Sequence, residues 1–327
     1  MGCWIDRLIF IEKISKIVVI VSLMAPAWGC AGPAAEQPTQ TPVVERKTLI
    51  PPGAVKMGPE TDSHPPEVLS SEYEKPVPVP GSINTAGGED SDFVTPDGNI
   101  LYFFYTPDIN VPVETQLLDG VTGLYESNRV DGLWGKPQRI ILHDSGQLSL
   151  DGCYFIHGNV MWFCSAREGY TGLHWFTAEF QAGRWQNWQI ADFNPSYEVG
   201  ELYISNDGNA LYFHSARPGG KGGLDIWMST KVDGVWQEPV NVSAVNTDTD
   251  EGWPALNPAE DELWFTHNYG VWRSKKSGGE WQTPELIISP LAGEPSIDAA
   301  GNIYFVHHYL KDGQLIESDI YVAYKKP

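Results

Sequence analysis

With 327 residues, 42% of them hydrophobic, the chain is long enough to bury a large core in one or two domains. Its formal net charge of −21 argues against nucleic acid or an anionic membrane surface as a partner, because both need a basic face to neutralise phosphates. The 13 Trp, 14 Tyr and 33 Gly point instead to packed aromatic strands joined by tight turns.

Residues 1–30 read as a targeting segment, in which Arg7, Lys13 and Lys16 precede the apolar run from Ile17 to Met24. That run falls short of the ~20 apolar residues a transmembrane helix needs. Two exits remain open. Ala25-Pro-Ala27 suits cleavage for soluble export, whereas Ala27-Trp-Gly-Cys30 resembles a bacterial lipobox that would lipidate Cys30, although Ala stands where Leu is usual. The expected location is therefore a periplasmic or cell-surface lipoprotein held by its lipid anchor, or alternatively a secreted protein. Residues 31–71 carry eight prolines between Ala31 and Ser70 and show no periodicity, which predicts an extended, disordered tether.

From residue 72 to 327 the sequence repeats. Asn84, Thr85, Glu89, Leu101 and Phe103 stand 162 positions before Asn246, Thr247, Glu251, Leu263 and Phe265. Three repeats show an Asp-Gly or Ala-Gly turn, in Thr95-Pro-Asp-Gly98, Ser205-Asn-Asp-Gly208 and Asp298-Ala-Ala-Gly301, where Gly supplies the positive φ. An aromatic strand follows in five copies: Leu101-Tyr-Phe103, Met161-Trp-Phe163, Leu211-Tyr-Phe213, Leu263-Trp-Phe265 and Ile303-Tyr-Phe305. Third strands run through Trp175, Trp227 and Tyr321, and fourth strands open on the Gly-x-Trp tryptophans Trp134, Trp185, Trp236 and Trp281, which are expected to pack between repeats. Four short antiparallel strands per repeat of about 50 residues describe a propeller blade, so the fold expected is an all-β, five-bladed β-propeller. The fifth repeat lacks its Gly-x-Trp strand. The strand-like piece Tyr73–Val79 is expected to complete it and close the ring, hiding a sheet edge.

The string from Phe213 to Ser229, with Gly234-Val-Trp-Gln-Glu-Pro239 and Val245-Asn-Thr247 after it, resembles the WD-like β-propeller repeat of the TolB type found in exported bacterial proteins. The likeness spans about Tyr73 to Pro327. It implies a platform for protein, peptide or ligand binding, or the propeller part of an enzyme, and by itself names no activity. No Gly-x-Ser-x-Gly elbow occurs, so a prolyl-peptidase-like enzyme is not expected.

The loops that enter each first strand and leave each second strand gather on one face of such a disc, opposite the Asp-Gly turns. They bring together Glu89, Glu201, Glu251, Trp253, His267, Glu294 and His307 as candidate ligand contacts. Two readings compete for the acids. Converging carboxylates suit Ca²⁺ or a ligand, whereas Glu89 and Glu251 at matching repeat positions suit hydrogen bonds to the loop that begins at each Asn-Thr. A glycosidase reading takes Asp92, Asp151 and Glu201 as an Asp, Asp, Glu set drawn from successive inner strands. Arg217 and Asp225 are expected to form an ion pair across the Gly-rich loop, and Arg167 to meet His174 in the same way. Cys153 and Cys164 flank a predicted hairpin, either as a cross-strand disulfide or as two buried thiols. The resulting expectation is a monomeric, non-catalytic binding module at the cell envelope for a protein, peptide or glycan, with no cofactor firmly implied and Ca²⁺ possible. The alternatives are a glycoside-active enzyme and a purely structural scaffold.

Overall fold

The computed structural model describes residues 45–193, 197 and 199–327. Cys30, the targeting segment and residues 31–44 lie outside the described residues.

The chain is almost entirely antiparallel β-sheet. The five aromatic stretches become second strands, and each has its central Phe at no more than 1% exposure: Phe103, Phe163, Phe213, Phe265 and Phe305. They are buried on both faces because each sheet is packed between neighbours. Fully burying one such ring stabilises by roughly 1.5–3 kcal/mol.

Unit one comprises Gly88–Val94, Ile100–Thr106, Gly123–Val130 and Gln138–Arg139, and unit two Ser149–His157, Val160–Arg167, His174–Gln181 and Arg184–Ile190. Unit three is Gly200–Ile204, Ala210–Ser215, Asp225–Val232 and Val240–Asn241, and unit four Glu251–Leu256, Glu262–His267, Gly270–Ser277 and Glu285–Ser289. Unit five has Ala292–Ile297, Ile303–Lys311 and Gln314–Ala323, with Val77–Pro78 paired antiparallel to the last of these. First strands pack on one another in chain order from unit one to unit five, and Ala292–Ile297 packs on Gly88–Val94.

Three Gly-x-Trp tryptophans reach a neighbouring unit. The rings of Trp185 and Tyr102 lie 6.4 Å apart, those of Trp281 and Tyr212 6.3 Å, and those of Trp134 and Tyr304 6.2 Å, the last joining unit one to unit five. The Gly-x-Trp residues do not open the fourth strands of units one, three and four. They form two-residue hairpins on the third strand, and the fourth strand begins four residues later at Gln138, Val240 and Glu285. One short helix, Val113–Leu118, interrupts unit one between its second and third strands.

The described part of the expected tether is seated on the sheets. Arg46 is buried against Glu89, Lys56 bridges Glu317 and Asp319, Asp62 meets His307, and Glu67–Val68 pairs with Ile288 and Ser289 of unit four. Its proline content predicts freedom because it has few apolar groups to bury. Docking is achieved instead through charged side chains that pair with buried groups on the sheets. Arg273, fully buried in unit four, clamps the start of the next segment through Glu72, Glu262 and Glu285.

Candidate functional site

The first strands place their polar residues on two adjacent levels. On the upper level Glu89 lies opposite Tyr105, Asp151 opposite Ser165 and Glu251 opposite His267. Each of these acids is saturated locally. Glu89 accepts from Thr85 N at 2.9 Å and Thr85 Oγ1 at 2.8 Å, and pairs with Arg46 at 2.9 Å. Glu251 repeats the loop contact with Thr247 N at 2.8 Å and meets His267 Nδ1 at 2.8 Å. Asp151 accepts from Ser165 Oγ at 2.6 Å and from Arg167 Nη2 at 2.8 Å.

Two expected pairs are corrected. Arg167 meets Asp151 rather than His174, because Asp151 lies one strand away at the same level and His174 turns its ring to the Thr171 carbonyl. Arg217 forms no ion pair with Asp225. The Gly-rich loop folds its own backbone onto that acid, Lys221 N donating to Asp225 Oδ2 at 2.7 Å. The Arg217 guanidinium lies 4.8 Å over Phe213. Cys153 and Cys164 are both free and buried.

One step further along, every first strand bulges, with register breaks after Asp90, Gly152, Gly200, Gly252 and Gly293. The bulged residues include Ser91, Cys153, Glu201, Trp253 and Glu294, and all but Glu201 have left-handed φ, between 46° and 56°. A glycine precedes the bulge in units two to five. At Gly200 the reason is steric: an added Cβ would lie 1.9 Å from His214 Nε2. Non-glycine residues at positive φ store about 1–3 kcal/mol each and cluster at binding sites.

These bulges form one end of a cavity of about 340 Å³, lined there by Asp92, Tyr154, Glu201, Trp253, Glu294 and Ser296. Phe93, Phe155 and Tyr203 line its middle, and it extends to the turn residues Pro96, His157, Gly158, Asn206 and Pro258. The cavity therefore reaches the Asp-Gly-turn face, opposite to the face expected to gather ligand contacts. Of the seven candidate contacts, Glu201, Trp253 and Glu294 line it, whereas Glu89, Glu251, His267 and His307 do not. His307 is fully buried and its Nε2 lies 2.7 Å from Asp62 Oδ2, so the upstream segment covers it. Of the glycosidase trio, Asp92 and Glu201 line the cavity, and Asp151 is held in its ion pair.

Burial sets the electrostatics of the cavity. It pushes the Asp92 carboxyl well above its usual range, although Ser296 Oγ donates to Oδ2 at 2.6 Å. Burial, then the charges of Asp90 and Glu201, do the same to Glu294, whose Oε2 accepts from Ser91 N at 2.9 Å. Glu201 is pushed up to about 7, chiefly by burial, and accepts from Ser91 Oγ at 3.1 Å. Burial pulls His214 down to about 3, so its ring is neutral. Its Nδ1 accepts from Trp253 N at 3.0 Å, which leaves the proton on Nε2, facing Glu201 Oε2 at 3.9 Å. Asp92 Oδ1 and Trp253 Nε1 are buried with no hydrogen-bond partner among the described residues.

The result is a recessed, partly aromatic space that opens on the turn face and whose acids favour the neutral, donor-bearing form. No group of three or more His, Cys, Asp or Glu among the described residues is placed to hold a metal ion. Sequence reasoning missed Ser91, Tyr154 and His214. The glycines at 152, 200, 252 and 293, one in each of units two to five, were the available signal for the bulges.

No family model matches the chain, and no curated protein matches it. Among solved structures, it is similar to TolB from Acinetobacter baumannii (15% identity, TM-score 0.43), covering 73% of this chain and 55% of that one. It is also similar to an endo-arabinase from Bacteroides thetaiotaomicron (13%, TM-score 0.48; 76% and 97% covered). A protein of unknown function from Dyadobacter fermentans gives 11% and a TM-score of 0.45, with 80% and 100% covered. Thus the chain spans about half the length of that TolB chain, and likenesses at this level assign no activity. No helix among the described residues is long and apolar enough to cross a membrane.

Proposed function

We propose that the chain is an exported binding module of the TolB-like propeller type that takes a small, uncharged, hydrogen-bonding ligand, such as the end of a glycan, into the cavity among its first strands. In this reading the five units are five blades, Val77–Pro78 closes the ring as the outer strand of the fifth, and lipidation at Cys30 or soluble export delivers the module to the envelope. The observation that carries the ligand class is the unpartnered pair Asp92 Oδ1 and Trp253 Nε1, buried in a space whose carboxyls favour the neutral state. An anion would be desolvated there with no Lys or Arg in the lining to pair with it, and a cation would have to ionise buried acids. A neutral polyhydroxylated group can donate to Asp92, accept from Trp253 and lie on the aromatic wall. The volume falls in the range of ordinary ligand pockets, roughly 300–1,000 Å³.

Titration of the protein with neutral mono- and oligosaccharides, read by calorimetry and tryptophan fluorescence, tests this reading. Binding that Trp253→Phe and Asp92→Leu each weaken by about tenfold or more supports it. Failure of every neutral saccharide, or binding untouched by both substitutions, sinks it. The glycosidase alternative draws support from Glu201, whose value near 7 suits a general acid. It needs an ionised partner in the same space, and Asp92 and Glu294 are both driven toward protonation. Turnover of chromogenic glycosides that Glu201→Gln abolishes would establish it over the binder.

A further inference from the structure

The repeats build a guanidinium slot. In unit two Arg167 stands four residues after Phe163, its guanidinium 5.1 Å over that ring and 4.5 Å over Phe176, with Asp151 as its carboxylate. In unit three Arg217 stands four residues after Phe213, lying over Phe213 and, at 5.4 Å, over Trp227. The matching position in unit one, four residues after Phe103, is Pro107, which brings no cation. Yet the slot is filled. Arg46, from outside the repeats, places its guanidinium 5.5 Å over Phe103 and 5.9 Å over Tyr125, the counterparts of Phe163 and Phe176. Its Nη1 donates to Glu89, which sits where Asp151 sits in unit two, and its Nη2 donates to the Ser82 and Ile83 carbonyls. Its own carbonyl accepts from Tyr105 OH at 2.9 Å.

We propose that unit one carries a guanidinium-binding site for which Arg46 is a tethered, exchangeable ligand, and that residues 45–62 so held form a latch across the junction of units one and five. The planar fork matches one carboxylate oxygen and two carbonyls while its face lies on the rings, a fit that an ammonium does not reproduce. Beyond Arg46 the segment crosses to unit five, where Lys56 lies 5.4 Å over Tyr309, the residue four after Phe305, and bonds to Glu317 and Asp319. Units one, four and five carry Pro107, Tyr269 and Tyr309 at this position instead of an arginine, and units one and five each receive a cation from the same upstream segment. This site is separate from the cavity and stands or falls independently of it.

The test is chemical rescue in the full chain. Arg46→Ala is expected to melt below the unmodified protein, and millimolar N-ethylguanidinium is expected to raise its melting temperature by ~2–4 °C at constant ionic strength. Ethylammonium is expected to leave it unchanged, and neither compound to move the unmodified protein, whose slot is full. Absence of rescue, equal rescue by both cations, or the same rise in the unmodified protein overturns the site. Should Arg46→Ala fail to fold, Arg46→Lys keeps the charge without the fork. Amide hydrogen exchange across residues 45–62 is then expected to quicken about tenfold or more relative to the unmodified chain, and unchanged exchange would dispose of the latch.

Discussion

Glu201→Gln isolates the electrostatics on which the ligand reading depends. Glutamine keeps the shape of the protonated side chain and an oxygen for Ser91 Oγ, but it cannot ionise. Glu201 titrates near 4.5 when unfolded and at about 7 in place. The sign follows from which state lets go of its proton first. Below pH 4.5 both states hold it and the neutral group's contribution is fully present. Between 4.5 and 7 the unfolded chain has released the proton while the folded one keeps it, so stability falls as pH rises through that window. Above 7 both are ionised and the loss is complete. At 1.36 kcal/mol per pH unit the window amounts to roughly 3 kcal/mol. Urea unfolding of both proteins at pH 4.5 and pH 8 should show near-equal stability at the lower pH. At the higher pH the Gln variant should lead by roughly 3 kcal/mol. A difference that stays constant with pH, or that favours the unmodified protein at pH 8, would show that Glu201 ionises freely in a wet site, and the neutral-ligand reasoning would go with it.

Other outcomes follow from the same geometry. Asp151→Asn leaves Arg167 buried beside a neutral amide and is expected to cost about 3–5 kcal/mol in chemical unfolding, because a broken buried pair strands a charge; a loss under about 1 kcal/mol would free Asp151 for another role. Gly200→Ala drives a methyl into the His214 ring and is expected to destabilise by about 1–3 kcal/mol, with His214→Ala relieving much of that loss in the double variant. Burial raises both thiols, so Cys153 and Cys164 should resist iodoacetamide in the native protein and react together once it is unfolded. Mass spectrometry counts the labels, and native labelling of either would mean that the first two strands of unit two open.

The strand pattern was legible because it rests on local chemistry: an apolar-aromatic-aromatic triplet, repeated five times, that can be buried only as strand, preceded in four of the copies by a turn glycine. The site was less legible because a bulge shifts the register by one position. Period-2 reasoning places Glu251 and Trp253 on the same side of one strand, and with them Glu89 and Ser91. The extra residue at each bulge separates the two levels, so the acids at the Asn-Thr loops turn to their own backbone while Ser91, Glu201, Trp253 and Glu294 line the cavity. Sequence spacing alone cannot distinguish a carboxylate that closes a loop from one that lines a channel. His214 stayed hidden for a related reason. Its partners Gly200 and Trp253 come from two other first-strand segments, 14 residues before it and 39 after.

The upstream segment extends this lesson to a composition rule. Few apolar residues and many prolines predict that a stretch cannot build a core, and residues 45–71 indeed build none of their own. What they need is only a surface that already carries empty polar slots, and a repeat protein creates such slots wherever one copy lacks a side chain that its siblings have. Unit one has Pro107 where units two and three have Arg167 and Arg217, while its carboxylate Glu89 and its rings Phe103 and Tyr125 remain in place. A buried acid without a cation is costly to a fold, which makes the vacancy a strong acceptor for any arginine that can reach it. Arg46 reaches it from outside the repeats, so the same degeneration that blurs the repeat in sequence also fixes where the preceding chain attaches.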